Sequence, residues 1–191
     1  ALLYSGEREL PADFWDSHGK GMESWKEEHQ VGYRVSGPLC ASLQVNEFVY
    51  QEPGRGGHPF YAVVREVAGK SAVLRTIADY SHQKNNVWGI TARNREQNFA
   101  LNMLMDPEID FVTLLGQAGT GKTLLTLAAA LSQCLEQKRY SEIIVTRVTV
   151  PVGEDIGFLP GREEEKMTPW MGALEDNLDV LNLNDQEAGE W

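Results

Sequence analysis

Cysteine is scarce: the 191 residues hold two, Cys40 and Cys134, far apart and in no C-x-x-C pair. Neither a disulfide framework nor a cysteine-rich zinc site is suggested by that count, and a reducing compartment is expected. Long apolar runs are missing as well. No stretch approaches the roughly 20 residues that span a bilayer, and the opening ALLYSGERELP has neither the basic segment nor the apolar stretch of a signal peptide. A cytoplasmic setting with no membrane partner is the expectation. There is no internal repeat and no low-complexity tract. Net positive charge is absent too, the formal charge being −11, which at first argues against a nucleic-acid partner. The distribution weakens that objection. Residues 154–191 carry 11 acidic and 2 basic side chains, a balance of −9, and residues 1–153 carry 17 and 15, a balance of −2.

What is present is enough for an ordinary core, 42% of residues being apolar. The pattern changes character between Ser81 and Asn86, and a domain boundary is placed there, giving a β-rich domain over 1–85 and a second domain over 86–191. In the first, GYRVSG, LQVNEFVYQ, FYAVVREV and SAVLRTIAD are short β-branched and aromatic runs punctuated by glycine and proline. They predict a small antiparallel sheet or barrel. The first thirty residues show no clear period and are expected to be the tail of something upstream. In the second domain the order becomes helix, strand, loop, helix, strand, which predicts an α/β fold on a parallel sheet. The helices are expected at about 94–105, 122–137 and 163–181, and the strands at 111–115 and 142–147.

Between the first of those strands and the second helix, Gly116, Gln117, Ala118, Gly119, Thr120, Gly121, Lys122 and Thr123 match G-x-x-x-x-G-K-[ST]. Glycines remove Cβ atoms, so that backbone N–H groups can converge on an anion at a helix N-terminus, where the dipole adds to the attraction. The chemistry expected is triphosphate binding, with ATP and Mg²⁺ as the cofactors. Lys122 is assigned to the β- and γ-phosphates and Thr123 to the metal. The alternative is a glycine-rich turn with an exposed lysine. No N-K-x-D occurs, which disfavours a guanine-reading GTPase. The next predicted strand, EIIVTR, ends without the carboxylate that supports Mg²⁺ in many such sites. Asp185 is the one later candidate, in a run interrupted by Asn182 and Asn184. The supporting acid and the water-positioning residue are therefore expected beyond Trp191.

Gln97, three residues after Asn94, has two readings: an amide that pairs with an adenine edge, or half of a capping box at a helix start. Arg147 and Thr149, where a strand turns into the loop VTVPVG, either grip phosphodiester oxygens or belong to a mere connection.

Taken together, ITARNREQNFALNML, LLGQAGTGKT and TRVTVPVGEDIGFLPGREEEKMTPW resemble the PhoH family of ATPases, and the type with an N-terminal PIN nuclease domain in particular. The likeness covers about 87–181 well, and YRVSGP, NEFVY and ADYS resemble the segment between nuclease and ATPase. It implies a helicase- or RecA-like P-loop NTPase fold, incomplete here, in a chain that is a piece of a longer protein. It implies an RNA-directed ATPase or helicase coupled to a ribonuclease, with RNA, the PIN domain and the rest of the ATPase domain as partners. A homo-oligomer is left open. Adenine reading by Gln97 and RNA contact by Arg147 and Thr149 gain from the resemblance. With its acidic strand-end motif absent, the chain alone is expected to bind ATP and to hydrolyse it poorly. A small-molecule P-loop kinase is one alternative, and would need an arginine-bearing lid, for which only Arg162 is available. A non-catalytic interaction module is the other.

Overall fold

The computed structural model describes residues 4–53, 58–146 and 176–181. They group into two compact units, Ala1–Ala78 and Asp79–Trp191. Each has its own hydrophobic core.

The first unit is built on one six-stranded sheet. Its strands are β1 (Glu7–Glu9), β2 (Glu23–Glu27), β3 (Gln30–Ser36), β4 (Phe48–Gln51), β5 (Phe60–Ala68) and β6 (Ser71–Thr76), in the order β1-β4-β5-β6-β3-β2. All pairs are antiparallel except β1 with β4. Among the described residues the sheet is open, with β1 and β2 as its edges, so it is not closed into a barrel and is not wholly antiparallel. The parallel pair comes from the opening residues, which carry no readable period because β1 is only three residues long. The same residues, expected to be an upstream tail, are built into the unit. Leu10 and Phe14, on and beside helix α1 (Phe14–His18), are fully buried. They pack with Cys40 and Leu43 on the face formed by Val35, Val49, Ala62, Val64, Ala72 and Leu74, whose spacing within each strand follows the period of two. Hairpin β5–β6 turns on Gly69-Lys70, and Gly69 at φ +60° takes the first central position that a type II′ turn reserves for glycine.

The second unit opens with a tight reversal. Val87 and Ile90 exchange both backbone hydrogen bonds, at 2.8 and 2.9 Å, around Trp88 (φ 50°) and Gly89 (φ 75°). Two successive positive φ values define a type I′ turn. Helix α2 (Arg95–Met105) follows, started by Asn94, whose Oδ1 accepts from the N–H of Gln97 at 2.8 Å. It stops at Asp106, held extended at ψ 118° by the proline after it. Helix α3 (Lys122–Leu131) runs on into a π turn, Ser132–Glu136. Leu101 of α2 and Leu125, Leu127, Ala128 and Ala129 of α3 form the core with Val87, Ala92 and Leu181.

Buried Gln133 fastens the far ends of the two helices. Its Nε2 donates to the carbonyls of Leu104 and Ala129, both at 3.1 Å, and its Oε1 accepts from Arg139 at 2.9 Å. The strands expected at 111–115 and 142–147 are not formed among the described residues. Phe111 is 85% exposed and Leu115 99%. A parallel strand is stabilised by neighbours hydrogen-bonded along both of its edges, and no described strand runs beside either segment. Of the last expected helix, residues 176–181 are helical and the rest lies outside the described residues.

Candidate functional site

The loop 116–123 closes on itself through its own lysine. Lys122 Nζ donates to the carbonyls of Gly116 (2.9 Å) and Gln117 (2.6 Å) and to Thr120 Oγ1 (3.2 Å). Thr120 Oγ1 in turn donates to the Gln117 carbonyl at 2.9 Å. Gly119 and Gly121 sit at φ 78° and 86°, in the region side-chain-bearing residues avoid. Gly121 is also the cap of α3, and among the described residues no side chain caps the first N–H groups of that helix. Those donors and the positive end of the helix dipole suit an anion. Thr123, exposed in the first turn, has a hydroxyl with no partner among the described residues.

Gln97 reaches this loop. Its Nε2 donates to the carbonyl of Thr120 at 3.2 Å, and its Oε1 accepts from the backbone N–H of Arg93 at 2.9 Å. The capping geometry is therefore present, displaced by one residue, since the amide meets the N–H before the cap residue. One side chain thus ties the start of α2 to the loop. Each of its polar atoms keeps one further valence, the second N–H of Nε2 and the second lone pair of Oε1.

A cavity of about 400 Å³ opens beside the loop, within the range of small-ligand sites, roughly 300–1,000 Å³. The turn residues Gly89 and Ile90 line it with Thr91, Arg93 and Gln97, against Gly119 and Gly121 of the loop and Leu124, Leu125 and Val180. Sequence reasoning missed the turn, because Trp88-Gly89 lacks the Asn or Asp that marks a type I′ turn, and gave Arg93 no role. Tyr80, packed against the core of this unit, is tied down by its backbone, its N–H donating to Asn98 Oδ1 and its carbonyl accepting from Ala92, both at 2.8 Å. Burial, with the carboxylate of Asp106 adding to it, pushes the Tyr80 phenol above its ordinary range.

Among the described residues no three His, Cys, Asp or Glu side chains lie together as a metal site. For Mg²⁺ the chain offers the free Thr123 hydroxyl, a hard oxygen ligand of the kind that ion takes together with phosphate and water. Arg147, Thr149, Arg162 and Asp185 lie outside the described residues. No described helix is long and apolar enough to cross a membrane.

A G-x-x-x-x-G-K-[ST] loop that enters a helix through a left-handed glycine defines the class, the P-loop NTPases. The chain belongs to the PhoH-like protein family, whose model matches residues 89–188. It is 41% identical over 191 residues to protein PhoH2 of Bacillus subtilis, a match covering 98% of this chain and 40% of that protein. It is 43% identical over 169 residues to a PhoH-like protein of the same organism, covering 88% of this chain and 43% of that one. With protein PhoH2 of Thermobispora bispora it shares 47% over 96 residues, 50% of this chain and 22% of the relative. The chain thus spans about two fifths of the first relative's length. No solved structure matches it.

Proposed function

We propose that this chain is the ATP-binding portion of an RNA-directed ATPase, with residues 1–85 as a β-rich domain leading into the first part of the ATPase domain. The carrying observation is the loop 116–123. It combines left-handed glycines, uncapped helix amides, one mobile ammonium and one free hydroxyl, the set needed to hold the β- and γ-phosphates of ATP with Mg²⁺. Lys122 would leave its carbonyl partners for the phosphates, Thr123 would ligate the metal, and Gln97 would offer its remaining valences to an adenine edge. The ion supplies charge neutralisation at the transferring phosphoryl group when bound.

Lys122→Ala tests this. The variant is expected to fold and to lose most of its affinity for ATP–Mg²⁺, because it deletes the only cation of a loop of otherwise neutral donors. Calorimetric titration showing wild-type affinity in the folded variant would refute the assignment.

The RNA half of the proposal rests on the family resemblance and on Arg147 and Thr149, which the sequence puts at the end of the second expected strand and just beyond it. In a protein of the relatives' length, Arg147→Ala should weaken RNA binding almost uniformly across sequences. It should also flatten the salt dependence by somewhat less than about one unit for a single strand. ATP affinity should stay unchanged. A fall in ATP affinity with RNA binding intact would move Arg147 to the nucleotide site. The same proposal extends to a PIN nuclease partner outside this chain, which RNA cleavage assays on the longer protein would detect.

A further inference from the structure

The cavity beside the loop has a chemical gap. None of its lining residues among the described ones is aromatic, so a nucleobase entering it meets Ile90, Leu124 and Leu125 as apolar walls and no described ring to stack on. One side chain there has a delocalised plane and is not engaged. Arg93 is exposed, and its guanidinium has no hydrogen-bond or ion-pair partner among the described residues. Its backbone is held in place, because the N–H donates to Gln97 Oε1 at 2.9 Å. That same amide reaches Thr120 of the phosphate loop at 3.2 Å. The root of the arginine is thus fixed relative to the loop while its head is free to swing over the cavity mouth.

We infer that Arg93 is the base-clamping residue of this site, its guanidinium laid on the face of the purine opposite the aliphatic wall. The inference rests on the nucleotide reading above and adds to it the group that grips the base. Two considerations favour the base over the phosphates. The phosphates already have the ammonium of Lys122 and the amides of the α3 N-terminus, whereas among the described residues the base has aliphatic surface, the Gln97 amide and Thr91, and no plane besides Arg93 left to stack on. A guanidinium is planar and weakly hydrated, and it stacks on π faces where a lysine would remain a hydrated point charge.

The test titrates wild type, Arg93→Ala and Arg93→Tyr with ATP–Mg²⁺ and, separately, with inorganic tripolyphosphate–Mg²⁺, which has no base. Melting curves matching wild type confirm that the variants fold, as expected for an exposed side chain. Arg93→Ala should weaken ATP by about threefold to thirtyfold, the range of a cation–π contact, and leave tripolyphosphate unchanged. Arg93→Tyr should restore most of the ATP affinity, because it returns a stacking plane without a charge. If tripolyphosphate weakens along with ATP, Arg93 pairs with phosphate and the inference falls. If tyrosine restores nothing, the hydrogen bonds of the guanidinium rather than its plane hold the nucleotide, and it falls too. Wild type binding both ligands with Arg93→Ala indistinguishable from it overturns this inference alone. Wild type binding neither overturns the nucleotide reading with it.

Discussion

Glu47, at 2% side-chain exposure, has a partner on each carboxyl oxygen: Oε1 pairs with Arg8 Nε at 2.9 Å and Oε2 accepts from the Gln44 N–H at 2.9 Å. Arg8 also donates to the hydroxyl and carbonyl of Ser42, at 2.7 and 3.0 Å. Truncating one member of such a pair leaves the other buried and unpaired. Arg8→Ala should therefore cost the first unit about 3 kcal/mol, the low end for buried pairs because Arg8 is 28% exposed. Glu47→Gln, which keeps one acceptor oxygen for Arg8 and loses the one that met the Gln44 N–H, should cost less. Chemical denaturation of the two variants checks the order, and equal losses would mean that the pair is not the source of the stability. Nothing in the sequence announced this pair, whose members stand 39 residues apart and meet only because β1 lies beside β4. Lys122 was legible, since glycines at fixed offsets before a lysine and a threonine suit little besides the cradling of an anion. Its present partners were not, because they are carbonyls of the loop itself.

At the scale of elements, α2 and α3 stand where the apolar period placed them, and the stop at Asp106-Pro107 follows from local sterics. The strands expected on either side of α3 are the contrast. A strand's apolar run is legible in sequence, but the ladder that makes it a strand belongs to its neighbours, and neither Phe111 nor Ile144 has one among the described residues. The start of α2 is where local and distant demands meet in a single side chain. Gln97→Glu keeps the acceptor for the Arg93 N–H, and glutamate suits this third helical position as well as glutamine does. It replaces the donor to the Thr120 carbonyl with an acceptor, however. That variant should melt close to wild type and bind ATP–Mg²⁺ more weakly. Gln97→Ala should lose both, with about 0.5–2 kcal/mol taken from stability. Paired melting and nucleotide-competition measurements separate the two roles. If Gln97→Glu binds as wild type does, the side chain is a cap and nothing more.

For the whole molecule, the cores of the two units share no residue, although the division near the end of β6 could be approached in sequence only through a change of pattern. Two unfolding transitions are therefore expected in calorimetry. A nucleotide that binds the second unit should raise only its transition, by about 2.7 kcal/mol at a concentration of 100 times Kd. Both transitions moving together with ATP would mean that the units unfold as one. Division into two cores has a practical corollary. The first unit becomes an internal standard carried by every molecule in the sample. A salt, buffer or temperature effect that acts on polypeptide in general must register in both transitions. A ligand or substitution that acts at the phosphate loop registers as a difference between them, read within a single trace and independent of concentration errors between samples.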